Sequence, residues 1–280
     1  MKIGYICPHW GQEHVAPEVF IENAIAAGYN GVEINIGALE NSAHWEKVLR
    51  ETAKNDPDFI LIGQMVLEER YNRFDQFYKE MPERLALIAD FNPAFINSHT
   101  GKDFFSFDEN CRLLQLATAF SEQSGIPVYH ETHRGRFSYA LHVMPRYLKQ
   151  YPGLDLVADY SHWCNVSESL LNDQSEILRS IAPHIQHLHA RIGYEHGPQL
   201  ADPFAPQYKN YLDTFTHWWK HILLHHQKKT GLFTICTEAG PVPYMPVDPS
   251  TNLPLADQWQ VNTAMLQYLK KIFADNATMA

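Results

Sequence analysis

The chain has 280 residues, 45% of them hydrophobic, and a formal net charge of -10. That length suffices for one large domain and falls in the range of a barrel of eight strand-helix units. The acidic balance argues against a protein that works by gripping phosphate backbones, because non-specific nucleic-acid affinity comes from Lys and Arg.

The opening MKIGYICPHW enters a strand-like run at once, without the extended apolar segment of a signal peptide or a membrane span. A cytoplasmic protein with neither a nucleic-acid nor a membrane partner is therefore expected. Strand-like segments then recur near 2–7, 31–36, 58–65, 95–99, 126–131, 154–159, 185–190 and 232–238, with longer helix-like segments between them. After Pro17, residues Ile21, Ala24, Ile25 and Gly28 share one helical stripe, with Pro17 near the helix start and Gly28 near its end. Ser106-Phe-Asp-Glu109 is a capping-box pattern that opens a helix through Leu113, Leu116, Ala117 and Phe120, which must stop at Gly125-Ile-Pro127. Eight strands alternating with eight helices favour parallel pairing, right-handed crossovers and closure, so the expected fold is α/β: a single (β/α)8 TIM barrel over 1–280, its active site at the C-terminal face.

Two strand-to-helix connections are longer than the rest, Gly193 to Tyr208 and Gly240 to Pro254. The second carries Pro241, Pro243, Pro246, Pro249 and Pro254, which predict a stiff wall beside the barrel mouth. Cys7, Cys111, Cys164 and Cys236 lack the paired spacing of a zinc knuckle or a thioredoxin motif and are expected to be reduced, packed thiols.

The chemistry concentrates at four strand ends. Glu131, Asp159, His189 and Glu238 close the runs IPVYHET, LDLVADYSHW, IQHLHARIG and LFTICTEAG. Ionisable groups at the ends of buried parallel strands are costly unless paired or coordinated, so four at similar depth predict one shared cation. Three carboxylates and one imidazole suit Mn²⁺ or Mg²⁺, with Mn²⁺ the first choice and Co²⁺ or Zn²⁺ compatible with the imidazole. Trp10, Tyr160 and Trp163 lie beside strand ends, where Trp163 can pack on the apolar face of a bound substrate. Of His187 and His189, which flank Leu188, only one is expected to reach the barrel interior. His217, His221 and His225 form one stripe of an outer helix and are read as a partly exposed polar face. The tail DNATMA is expected to fray.

The order Glu131, Asp159-Tyr-Ser-His162, His189, Glu238 resembles the xylose isomerase-like TIM-barrel superfamily, in particular its sugar isomerase and epimerase branch. The resemblance implies that these four residues hold the metal, that His162 contacts substrate, and that His189 rather than His187 faces the interior. It also implies a small-molecule substrate, a sugar or sugar derivative. A cation chelating the carbonyl and a neighbouring hydroxyl would stabilise the enediolate left when an α-proton departs, and Glu131 and Glu238 then serve as acid and base on opposite faces of the carbon. His99 can hydrogen-bond substrate or, with His162, serve a second metal. Arg191, Arg134 and Arg136 can meet an anionic group on the sugar. Three other functions share the ligand pattern: an inosose dehydratase-like lyase, an AP endonuclease-like phosphodiesterase and a non-catalytic metal-binding barrel. The phosphodiesterase cluster is incomplete, since the third strand ends in Gly63-Gln64-Met65 where a His is expected. A homo-oligomer is compatible with the sequence.

Overall fold

In the computed structural model, residues 1–68, 70–227 and 231–274 are described. Eight parallel strands close a barrel in sequential order: β1 Lys2–Pro8, β2 Gly31–Ile34, β3 Ile60–Met65, β4 Phe95–Ser98, β5 Val128–Glu131, β6 Leu156–Ala158, β7 Ile185–His189 and β8 Leu232–Cys236. Closure runs through β1 and β8, paired from Lys2 opposite Leu232 to Ile6 opposite Cys236. Around the barrel lie the helices α1 Pro17–Ala27, α2 Ser42–Asn55, α3 Phe74–Ala89, α4 Phe107–Ser124, α5 Met144–Gln150, α6 Tyr160–Ser167, α7 Ser175–Ile181, α8 Lys209–His226 and α9 Gln258–Ala274. None is long and apolar enough to cross a membrane.

The local signals act as their chemistry requires. Gly28 ends α1 at φ 93°, a left-handed conformation that spares a side chain, and its N–H bonds the carbonyls of Ala24 and Ile25. Ser106 and Glu109 form the reciprocal capping box of α4: the Glu109 amide donates to Ser106 Oγ at 3.2 Å and the Ser106 amide donates to Glu109 Oε2 at 2.8 Å. The four cysteines are free and buried.

Two expectations are corrected. The strands from β2 to β8 are shorter than their apolar runs, and β6 keeps only three residues because Asp159 leaves the ladder to cap α6, its carboxylate accepting from the Ser161 amide at 3.0 Å. The β6-to-β7 connection holds two helices, α6 and α7, instead of one, so the described residues form nine helices and not eight. The long connections after β7 and β8 are tied together at the barrel mouth. Gln199 donates to the Gly240 carbonyl at 3.0 Å and accepts from the Gly240 amide at 2.7 Å, and its amide is buried. The tail DNATMA lies outside the described residues.

Candidate metal centre and active site

All parallel strands of a closed barrel end on one face, so whatever terminates β5 to β8 converges there. Glu131 is the last residue of β5 and His189 the last of β7, while Asp159 follows β6 directly and Glu238 stands just beyond β8. All four are buried, and each offers one ligand atom such that these atoms lie within 4.8 Å of one another. Glu238 holds φ at 45°, which is costly for a residue with a Cβ and aims its carboxylate back at the cluster.

The residues fit a divalent cation on an observation independent of their sequence pattern. His189 Nδ1 and Glu238 Oε2 are 2.6 Å apart, yet neither has a hydrogen-bond partner, and both are buried. Glu131 Oε2 lies 3.7 Å from the same ring nitrogen. A converging set of carboxylate oxygens and one imidazole nitrogen is what an oxygen-preferring divalent ion requires. Asp159 is more committed: Oδ1 accepts from the Ser161 amide and hydroxyl, and Oδ2 contacts the Arg191 guanidinium.

Beneath the cluster lies a carboxylate that sequence reading missed. Glu33, in the middle of β2, is buried and accepts through Oε1 from Gln64 at 3.1 Å and Asn97 at 2.9 Å. Its Oε2 is 3.1 Å from both His187 Nε2 and His189 Nε2. His187 therefore faces the barrel interior, against expectation, because residues two apart on a strand share a face and His187 and His189 flank a single residue. The Glu33 carboxylate fixes Nε2 of His189 as the donor and leaves Nδ1 toward the cluster, the usual support of a metal-binding imidazole. A charge amid the apolar run GVEI was the available signal, since it cannot be buried without partners.

The electrostatics divide the two glutamates. Burial drives both upward, but for Glu131 the His99 and His189 rings outweigh it and hold the group well below the usual carboxylate range. For Glu238 burial prevails over His189 and Arg191, and the group is pushed up to about 7. Burial also raises Asp159 against the pull of Arg191. His189 is disfavoured as a cation by burial, yet Glu238, Glu33 and Glu131 together raise it well above the ordinary imidazole range.

Above the cluster opens a cavity of about 280 Å³, lined by Trp10, His99, Glu131, His133, Arg136, Arg191, Glu238 and Tyr244 among others. Tyr244, from the Pro-rich connection, meets Trp10 edge-on at 4.9 Å and so forms part of the expected wall. His99 Nε2 lies 2.8 Å from Glu131 Oε2 and groups with Glu131 and His133, not with His162. His162 is buried beside the cluster, packed on the His133 ring at 3.8 Å with Nε2 2.8 Å from Arg191 Nη2. Arg191 is buried as well, 3.9 Å from Glu238 Oε2. Arg134 reaches outward, stacked on Tyr244 at 4.9 Å and donating to Asn165 at 3.4 Å. Trp163 does not line the cavity. Its ring stacks on Tyr160 at 5.0 Å and its Nε1–H donates to the Ser138 carbonyl at 2.7 Å, so it is spent on packing. His217 and His221 lie on α8 away from the mouth, beside a small cleft with Tyr160 and Arg179.

No protein-family model matches the sequence, and no curated protein matches it. Solved structures do. The barrel superposes on the probable 3-DHS dehydratase AsbF of Bacillus anthracis with a TM-score of 0.61 and 17% identity, covering 96% of this chain and 99% of that one. For a D-psicose 3-epimerase the TM-score is 0.62 at 12% identity, with 96% and 99% covered. For a xylose isomerase domain protein of Alicyclobacillus acidocaldarius it is 0.62 at 14%, with 98% and 99% covered. By the order of its strands and its likeness to these structures along nearly its whole length, the chain has the closed (β/α)8 TIM-barrel fold that they share.

Proposed function

We propose that the protein is a divalent-metal-dependent sugar isomerase or epimerase, with Glu131, Asp159, His189 and Glu238 holding Mn²⁺. The observation that carries this reading is the convergence of their four ligand atoms within 4.8 Å, with Glu131 and Glu238 also lining the cavity. When bound, such an ion withdraws electron density from a sugar carbonyl and stabilises the negative charge of the enediolate left by loss of a neighbouring proton. The proton transfers belong to the chain. Glu131 and Glu238 reach the cavity floor from different strands, so one carboxylate can take the proton from carbon while the other returns one from the opposite face. Trp10 and Tyr244 supply apolar surface for the ring or carbon chain of the sugar.

The test is a panel of ketoses and aldoses incubated with Mn²⁺-loaded protein in deuterated water, following exchange of the α-hydrogen by mass spectrometry. Exchange in the wild type and its loss in E131Q and E238Q are expected, and full turnover in either variant would refute the assignment. A dehydratase begins with the same proton abstraction; release of water in the products would place the protein there instead.

A further inference from the structure

Three arginines stand near the barrel mouth, and their surroundings separate them. Arg191 donates to Asp159 and Ser161, and Arg134 donates to Asn165 while its guanidinium covers Tyr244. Arg136 differs. Its Nε and Nη1 are buried and have no hydrogen-bond partner, although its side chain lines the same cavity as Glu131 and Glu238. A guanidinium cannot shed its charge, so donors withdrawn from water without an acceptor are tolerated only where something else supplies one. The local backbone explains the placement. Gly135 takes a left-handed φ of 74°, and the Arg136 amide then donates to the His133 carbonyl at 3.2 Å, turning the chain back over the mouth just after β5.

We propose that the substrate is a sugar acid whose carboxylate accepts hydrogen bonds from Arg136 while its carbonyl end lies over Glu131, Asp159, His189 and Glu238. This rests on the isomerase or epimerase reading and adds the substrate class to it. A cavity of about 280 Å³ suits a monosaccharide and not an oligomer. A planar, singly charged carboxylate matches the guanidinium and brings less repulsion from the two glutamates than a phosphate does.

The test compares matched ketoses by calorimetry on the Mn²⁺-loaded protein: D-fructuronate and D-tagaturonate against D-fructose and D-tagatose, with D-fructose 6-phosphate as the alternative anion. The wild type should bind at least one of the acids about 10- to 100-fold more tightly than its neutral partner, the range expected for hydrogen bonds to a charged group. R136Q should abolish that preference and R136K recover part of it, a lysine keeping the charge but not the fork. Unchanged Mn²⁺ affinity in both variants shows that the barrel is intact. Equal binding of acid and neutral ketose, binding of the phosphate alone, no binding of either acid, or a preference that survives R136Q each overturns the assignment. Failure of the reaction reads differently: an acid that binds through Arg136 yet exchanges no α-hydrogen with deuterated water leaves the site standing and removes the isomerase.

Discussion

Replacing Glu33 by Gln probes whether the carboxylate under the barrel floor organises the metal centre without touching the metal. The carboxylate serves two rings and two amides at once: His187 and His189 at 3.1 Å, Asn97 at 2.9 Å and Gln64 at 3.1 Å. An amide of the same shape has one accepting oxygen and sets its NH₂ against neighbours that are themselves donors, so no cavity opens but at least one partner is orphaned. The His189 ring then loses the charge that fixes Nε2 as donor and Nδ1 toward the cluster. Carboxylates that orient a ligating imidazole are worth roughly 10- to 100-fold in metal affinity, or about 1.4 to 2.8 kcal/mol. Loss of one buried negative charge also eases deprotonation of His189, which works in favour of metal binding, but it removes attraction for the dication in the same step. We therefore expect the Mn²⁺ Kd of E33Q to rise by about 10- to 100-fold. Calorimetric titration of metal-stripped protein measures it, with near-ultraviolet circular dichroism verifying the native packing. An E33Q variant that is folded and binds Mn²⁺ within about twofold of the wild type would refute the reasoning, since that lies far below the expected effect.

Metal binding should also appear as stability. With free Mn²⁺ at about 100 times its Kd, linkage predicts roughly 2.7 kcal/mol of stabilisation, seen as a rise in Tm that chelation reverses and D159N diminishes; a Tm indifferent to Mn²⁺ contradicts the site. His130 gives a pH dependence. It is buried, its Nδ1 lies 2.7 Å from Thr100 Oγ1, and burial lowers it from 6.5 to about 3. The native state thus keeps it neutral while the unfolded chain takes up a proton below 6.5, so its contribution is fully present above 6.5 and is lost as the pH falls toward 3. Urea titrations from pH 6.5 to 4.5 should show a slope up to about 1.4 kcal/mol per pH unit steeper in the wild type than in H130Q; equal slopes count against it. Gly31 tests the barrel wall. A Cβ there would stand 2.0 Å from the Ile60 carbonyl oxygen, whereas at Gly153 it meets nothing within 4 Å. G31A should cost about 3 kcal/mol or more in chemical denaturation and G153A within about 0.5 kcal/mol, and comparable losses would show that β2 and β3 have room to part at this point.

The sequence by itself determined the sequence-local part of this protein. Apolar runs, Pro17, Gly28 and the Ser106 capping box dictate where strands and helices form, because those signals act over one or two turns of chain. Alternating strands and helices then favour a closed parallel barrel, and a closed parallel barrel necessarily brings the ends of β5 to β8 to one face. That is why strand order alone is enough to group Glu131, Asp159, His189 and Glu238. Tertiary structure decided which side chains meet once there. Glu33 enters from β2 and touches residues of β3, β4 and β7, and nothing local in GVEI names those partners. Trp163 turns from the mouth to pack on Tyr160, and His99 pairs with Glu131 and His133 instead of His162. Arg134, Arg136 and Arg191 are equivalent as letters. Only their surroundings leave two buried donors of Arg136 unmet, because hydrogen-bond satisfaction is a property of neighbours in space and not of neighbours in the chain.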